Sequence, residues 1–177
     1  MGKTRLIGRW LIVGLIVLSA VSGCGGYGFR GTVNNLPPDI RTVSIAVFVN
    51  ESIEPGVEVI FANALIYEFN RSQVLQVVSE SEAQAQIDGK IRAIAIDPVI
   101  YANVTQALER RVTITLEITC QRTDNQKVLW QNQSLSRYEN FRVTTDPNQT
   151  QRNKEEAIKK IAQDLSERIH NSILENF

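Results

Sequence analysis

Few side chains in this sequence are equipped for covalent or metal chemistry, and spacing decides against most of them. There is one histidine, His170, and two cysteines, Cys24 and Cys120. A zinc site needs His, Cys or carboxylate ligands grouped at set spacing. None stands near His170 along its helix, so His170, one position past an apolar stripe, is expected on the helix surface. A serine nucleophile would need a Gly-x-Ser-x-Gly turn, and the sequence has none. Asp97, Glu109, Glu117 and Glu139 lie on or near strands, where carboxylates are ordinarily solvated. Nothing in the spacing brings two of them to the roughly 5 to 9.5 Å that glycoside hydrolysis uses. Gly26-Tyr27-Gly28-Phe29-Arg30-Gly31 has the G-x-G-x-x-G spacing, but no strand precedes it and Asn-Asn-Leu-Pro-Pro follows in place of a helix. A pyrophosphate would find no helix N-terminus there. No enzyme, no metal and no dissociable cofactor are expected.

The cations are better candidates. Arg110 and Arg111 are adjacent on a strand and point to opposite faces, Arg137 and Arg142 lie along or beyond the next strand, and Arg152 with Lys154 precedes the apolar stripe of the last helix. Arginine makes strong, often bidentate, bonds to phosphate. The chain as a whole is not a polyanion binder: 19 basic groups stand against 19 acidic ones. Without the three basic residues of the first 23, 16 basic groups remain, for a net charge of −3. That balance argues against nucleic acid as a partner, because phosphate affinity comes from released counterions.

Cys24 has a chemistry of its own. Lys3, Arg5 and Arg9 precede an uncharged run from Trp10 to Gly23, the layout of a secretory signal peptide over residues 1–23. Those 14 residues fall short of the roughly 20 needed to span hydrocarbon. Val21-Ser22-Gly23-Cys24 resembles the bacterial lipobox, which implies cleavage before Cys24 and a mature N-terminus carrying S-diacylglycerol and an N-acyl chain. Several acyl chains hold a protein to a bilayer far more firmly than one. Gly25 stands where inner-membrane lipoproteins carry a retention Asp, so by analogy the anchor belongs to the outer membrane, on its periplasmic side. Residues 24–38, rich in Gly, Asn and Pro, read as lipidated N-terminus and tether, and residues 39–177 as one domain.

The elements that must position these residues are legible from periodicity. Arg41 to Asn50 reads as a strand, and Val57, Ile60, Phe61, Ala64, Leu65 and Phe69 repeat at helical spacing. Gln73 to Ser79 is a short strand, Ile87 to Asp97 another, ended by Asp97-Pro98, with Pro98 to Gln106 a loop or an irregular continuation before the strand Leu108 to Arg122. In Arg111 to Gln121 apolar and polar residues alternate strictly, which puts Cys120 on the buried face. Thr123 to Gln126 turns the chain, and Lys127 to Phe141 returns antiparallel. The apolar parity shifts between Trp130 and Leu135, so a bulge is expected. Ile158, Ile161, Leu165, Ile169 and Ile173 stripe a last helix over Glu155 to Phe177, with Glu155/Lys159 and Glu156/Lys160 as i,i+4 pairs on its wet side. The order β-α-β-β-β-β-α predicts a two-layer α+β domain, a largely antiparallel four- to five-stranded sheet covered on one face by two helices.

Read in order, these segments resemble the LPS-assembly lipoprotein LptE family. Cys24-Gly25-Gly26-Tyr27-Gly28-Phe29-Arg30-Gly31 is similar to its lipidated Cys-Gly-Tyr-x-Phe start, with one extra Gly. Leu36-Pro37-Pro38, Val43 to Asn50, Leu65 to Phe69, Ile87 to Ile91, Tyr101, Arg111 to Thr119 and Leu129-Trp130 follow in the family's order. The resemblance implies a non-catalytic outer-membrane lipoprotein that plugs an LptD β-barrel, helps it assemble and binds lipopolysaccharide. Family members are thought to touch lipid A phosphates through basic loop residues. The loop from Tyr101 to Gln106 has none here, and the nearest substitutes are Arg110, Arg111 and Arg152. Ile45 to Asn50 followed by an amphipathic helix also resembles lipoproteins that build secretion pores or activate cell-wall synthases, the alternative reading.

Overall fold

The computed structural model describes residues 36–103 and 106–175, and the side chains of all of these except 101–103, 106 and 107. The expected signal peptide, Cys24 and most of the expected tether therefore lie outside the described residues. The elements are β1 (Thr42–Ile45), β2 (Val49–Asn50), α1 (Val57–Ser72), β3 (Gln76–Val77), β4 (Ala85–Asn103), β5 (Gln106–Arg122), β6 (Val128–Arg142) and α2 (Pro147–Glu175), with a 3₁₀ turn at Glu80–Glu82. The strands form one mixed six-stranded sheet in the order β3-β1-β4-β5-β6, with β2 also against β4. The three long strands are antiparallel, while β1 and β2 pair parallel with β4, and β1 with β3. The α+β class with two helices holds.

The expected first strand is in fact two. The ladder breaks at Ala46–Phe48, which turns Phe48 into the core, 3% exposed, and leaves Val47 65% exposed. Phe48 stacks on Phe61 with ring centroids 5.9 Å apart and lies against Gly89 of β4. A Cβ on Gly89 would come within 2.5 Å of three atoms of that ring, so only glycine lets the ring approach. Gly89→Ala is expected to destabilise the domain by about 2–3 kcal/mol through overpacking. Urea unfolding checks this, and an unchanged midpoint would contradict the contact.

Of the two courses expected after Asp97, the irregular continuation of the strand is the one found. Pro98 does not end β4, which runs to Asn103. β1 and β2 stop pairing with β4 at Ile91. Beyond that point the outer side of β4 is an edge, where a residue without N–H is tolerated. The parity shift in β6 is a real bulge, since three residue steps from Asn132 to Leu135 oppose two from Leu116 to Ile118. α2 starts at Pro147, earlier than the apolar stripe alone shows. Asp146 caps it, its Oδ1 accepting from the Asn148 N–H at 2.9 Å, and proline suits the first helical position.

α1 and α2 cover one face of the sheet. Lys154 meets Glu54 at one end of the pair, and Phe69 meets His170 at the other, so the helices run in the same direction. The core joins Phe61, Leu65 and Phe69 of α1, the Ile158 to Ile173 stripe of α2, and Ile87, Ile91, Val112, Ile114, Leu116 and Ile118 of the sheet. Because α2 packs on α1 as well as on the sheet, its buried surface is wider than one stripe and takes in Ala162, Ser166, His170 and Leu174. His170 is therefore not a surface residue: it is 7% exposed and meets the Phe69 ring edge-on at 4.9 Å. Lys160 leaves its expected i,i+4 partner and reaches Glu139 on β6 at 2.8 Å. Arg137 likewise pairs with Asp164 at 2.9 Å. Both β6 partners stand on the helix side of the sheet's long outer strand, where inward charges discourage a further strand from adding.

Candidate functional site

The face of the sheet away from the helices is open, and strand register fixes what it displays. Asp97, Arg111 and Asn140 stand directly opposite one another on β4, β5 and β6. The next row is Ala95, Thr113 and Tyr138, and the next Ala93, Thr115 and Ser136. Thr115 donates to Ser136 Oγ at 3.3 Å, and Ser136 to the Ile114 carbonyl at 3.2 Å. Lower on the face, Arg92 occupies a bulge of β4 and bonds Glu51 at 3.0 Å and also Glu117, while Lys90 lies 3.7 Å from Glu51. The hydrogen bond from Arg92 holds the Glu51 carboxyl below its ordinary value of 4.5. A depressed carboxyl stabilises the folded state above that value and stops doing so as pH falls through the folded one.

The three arginines singled out from the sequence do not form one cluster. Arg110 sits on the helix side, opposite Pro98 and Phe141, and is exposed. It has no hydrogen bond or ion pair with the other described side chains. Arg111, on the open face, is held in place: its guanidinium lies 4.2 Å over the Tyr138 ring and its Nε donates to Asn140 Oδ1 at 3.0 Å. Arg152, exposed on the second turn of α2, donates to Gln149 Oε1 at 2.7 Å and lies 3.9 Å from Asp146. Tyr138 and Asn140 were missed from sequence for a countable reason. Stepping residue by residue from Gln121↔Val128 puts Tyr138 opposite Arg111, but two bulges insert two residues into β6 and bring Asn140 there instead.

Cys120 lies on the buried face, 1% exposed. Burial, with a smaller contribution from the Asp88 charge, pushes its thiol up to about 12. The thiolate is the reactive form, so at pH 8 its alkylation should run on the order of 1,000-fold slower than that of a free thiol. Iodoacetamide labelling followed by peptide mass analysis checks this in native protein and in denaturant. Equal rates in the two would contradict the burial.

A two-layer α+β domain of this kind is a fold shared with solved bacterial lipoproteins. The chain is similar to the solution NMR structure of lipoprotein B from Nitrosomonas europaea, with a TM-score of 0.57 and 15% identity over 85% of this chain and 91% of that one. It is similar to a minor lipoprotein from Acinetobacter baumannii, with a TM-score of 0.52 and 12% identity over 77% and 94%. It is also similar to a variant of the PelC dodecamer from Paraburkholderia phytofirmans, with a TM-score of 0.50 and 11% identity over 80% and 94%. At such identities the likeness is one of fold. A comparison with curated proteins finds no match. The sequence itself carries the narrower assignment: residues 40–173 match the LptE lipopolysaccharide-assembly family model, and the chain belongs to that family.

Proposed function

We propose that this LptE-family chain is anchored through acyl groups on Cys24 to the periplasmic side of the outer membrane. There it plugs an LptD-like β-barrel, helps the barrel assemble and binds lipopolysaccharide on its way to the outer leaflet. Its role is non-catalytic. The observation that carries this reading is the family match across residues 40–173, nearly all of the described domain. The open face supports it, because Thr115, Ser136, Thr119 and Gln131 suit the polar lumen of a large barrel. Co-purification from detergent-solubilised membranes tests it. A large heat-modifiable barrel should accompany the chain. The alternative, a scaffold for a pore or synthase, draws support from the likeness to the PelC dodecamer and requires a ring of this chain or a synthase in its place.

Arg110, Arg111 and Arg152 are the proposed lipopolysaccharide contacts. Arg110 is the best placed for phosphate, since no described partner occupies its guanidinium. Replacing all three by Ala should weaken lipopolysaccharide binding by the full-length protein at least about tenfold, because a hydrogen bond to a charged group is worth about 1.5 kcal/mol or more. Surface plasmon resonance on immobilised lipopolysaccharide reads this out, and unchanged affinity would remove the assignment.

A further inference from the structure

Arg111 differs from the other two cations, and its surroundings name a different ligand. We infer that the row Asp97, Arg111 and Asn140, with Tyr138 beside it, binds the saccharide portion of lipopolysaccharide and not a phosphate. The inference rests on the lipopolysaccharide reading above and deepens it.

Charge argues against an anion at this place. Asp97 is exposed and stands directly across from Arg111 in the β4/β5 register, with no ion pair joining them. Cross-strand neighbours have Cβ atoms about 5 Å apart. A phosphate on the Arg111 fork would therefore face a carboxylate. A sugar would not suffer that repulsion, because each hydroxyl both donates and accepts, and neighbouring hydroxyls can bridge a cation and a carboxylate. The row supplies the matching groups: Asp97 accepts, the terminal nitrogens of Arg111 donate, and the Asn140 amide keeps its N–H groups while its oxygen holds Arg111 Nε.

The groups are also held still. The Tyr138 ring under the guanidinium and the Asn140 bond at the Nε fix the plane of the fork, so little side-chain freedom is lost on binding. Tyr138 is itself 52% exposed and offers ring surface and a hydroxyl next to the row. Beside it, the exposed Ala93 and Ala95 leave a shallow floor with Thr113 and Thr115 along one side. A shallow, polar, uncharged-on-balance platform with one aromatic fits a hydroxyl-rich ring. By contrast, Lys90 and Arg92 on the same face are already engaged by Glu51 and Glu117.

The decisive variant is Asp97→Asn, which is nearly isosteric on an exposed strand and has opposite signs under the two readings. Full-length protein in detergent would be titrated with intact lipopolysaccharide, with lipid A freed of its core and outer sugars, and with the released core oligosaccharide. Asp97→Asn and Tyr138→Ala are each expected to weaken binding of intact lipopolysaccharide and of the free oligosaccharide roughly five- to tenfold, in keeping with one lost charged hydrogen bond. Binding of lipid A should be unchanged. Tighter binding by Asp97→Asn would identify an anion site and overturn the inference. So would wild-type protein that binds lipid A and ignores the oligosaccharide, which leaves the lipopolysaccharide reading standing. Oligosaccharide binding without any binding of intact lipopolysaccharide would do the reverse. Circular dichroism of both variants should match wild type.

Discussion

Phe61→Ala is expected to destabilise the domain by about 3–5 kcal/mol, the range for emptying a buried phenylalanine site. Phe61 is fully buried in the second turn of α1, and its ring is the stacking partner of Phe48. Phe48 is in turn the side chain that fills the space left by Gly89 and turns the chain between β1 and β2. Truncation therefore removes the ring's own burial and also the surface that keeps Phe48 inward. Neighbouring Val57 and Leu65 are fixed on the same rigid helix and cannot collapse into the space. A domain of ordinary stability has about 5–15 kcal/mol in all. Differential scanning calorimetry should therefore show a melting point lower by roughly 10–15 °C. A shift of under about 3 °C would mean that Phe61 does not hold the sheet to the helix layer.

The second large effect concerns the anchor. Cys24→Ala is expected to abolish lipidation and to lower the amount of protein in the outer-membrane fraction more than about tenfold. Each buried methylene of an acyl chain contributes about 0.8 kcal/mol to membrane attachment, so losing several chains leaves nothing of comparable strength. No helix among the described residues is long and apolar enough to cross a membrane. Residues 25–177 exported behind an ordinary cleavable signal, in excess of any barrel partner, should accumulate in the periplasmic fluid. Mass spectrometry of the native protein should find a triacylated Cys24 at the N-terminus. An unmodified terminus, or equal membrane recovery of the variant, would contradict the anchor.

What the sequence made legible was whatever depends on local periodicity. Strict alternation around Cys120 placed it in the core, and the parity change between Trp130 and Leu135 announced the β6 bulge. The stripe from Ile158 to Ile173 set the buried face of α2. What stayed hidden depends on neighbours distant in the chain. His170 is buried because α1 supplies Phe69 beside it, and a helix read alone shows only one stripe. Pro98 continues a strand because β1 and β2 end before reaching it, a fact of sheet order. The row Asp97, Arg111 and Asn140 depends also on two further bulges, at Arg92 of β4 and between Val128 and Trp130 of β6, whose positions no turn length reveals.

Photo-crosslinking in living cells from the open face gives the most direct test of the docking claim. Crosslinkable residues at Thr115 and Thr119, on the face opposite the helices, are expected to trap a large β-barrel protein identifiable by mass spectrometry. Adducts made only with further copies of this chain, or with a cell-wall synthase, would contradict it.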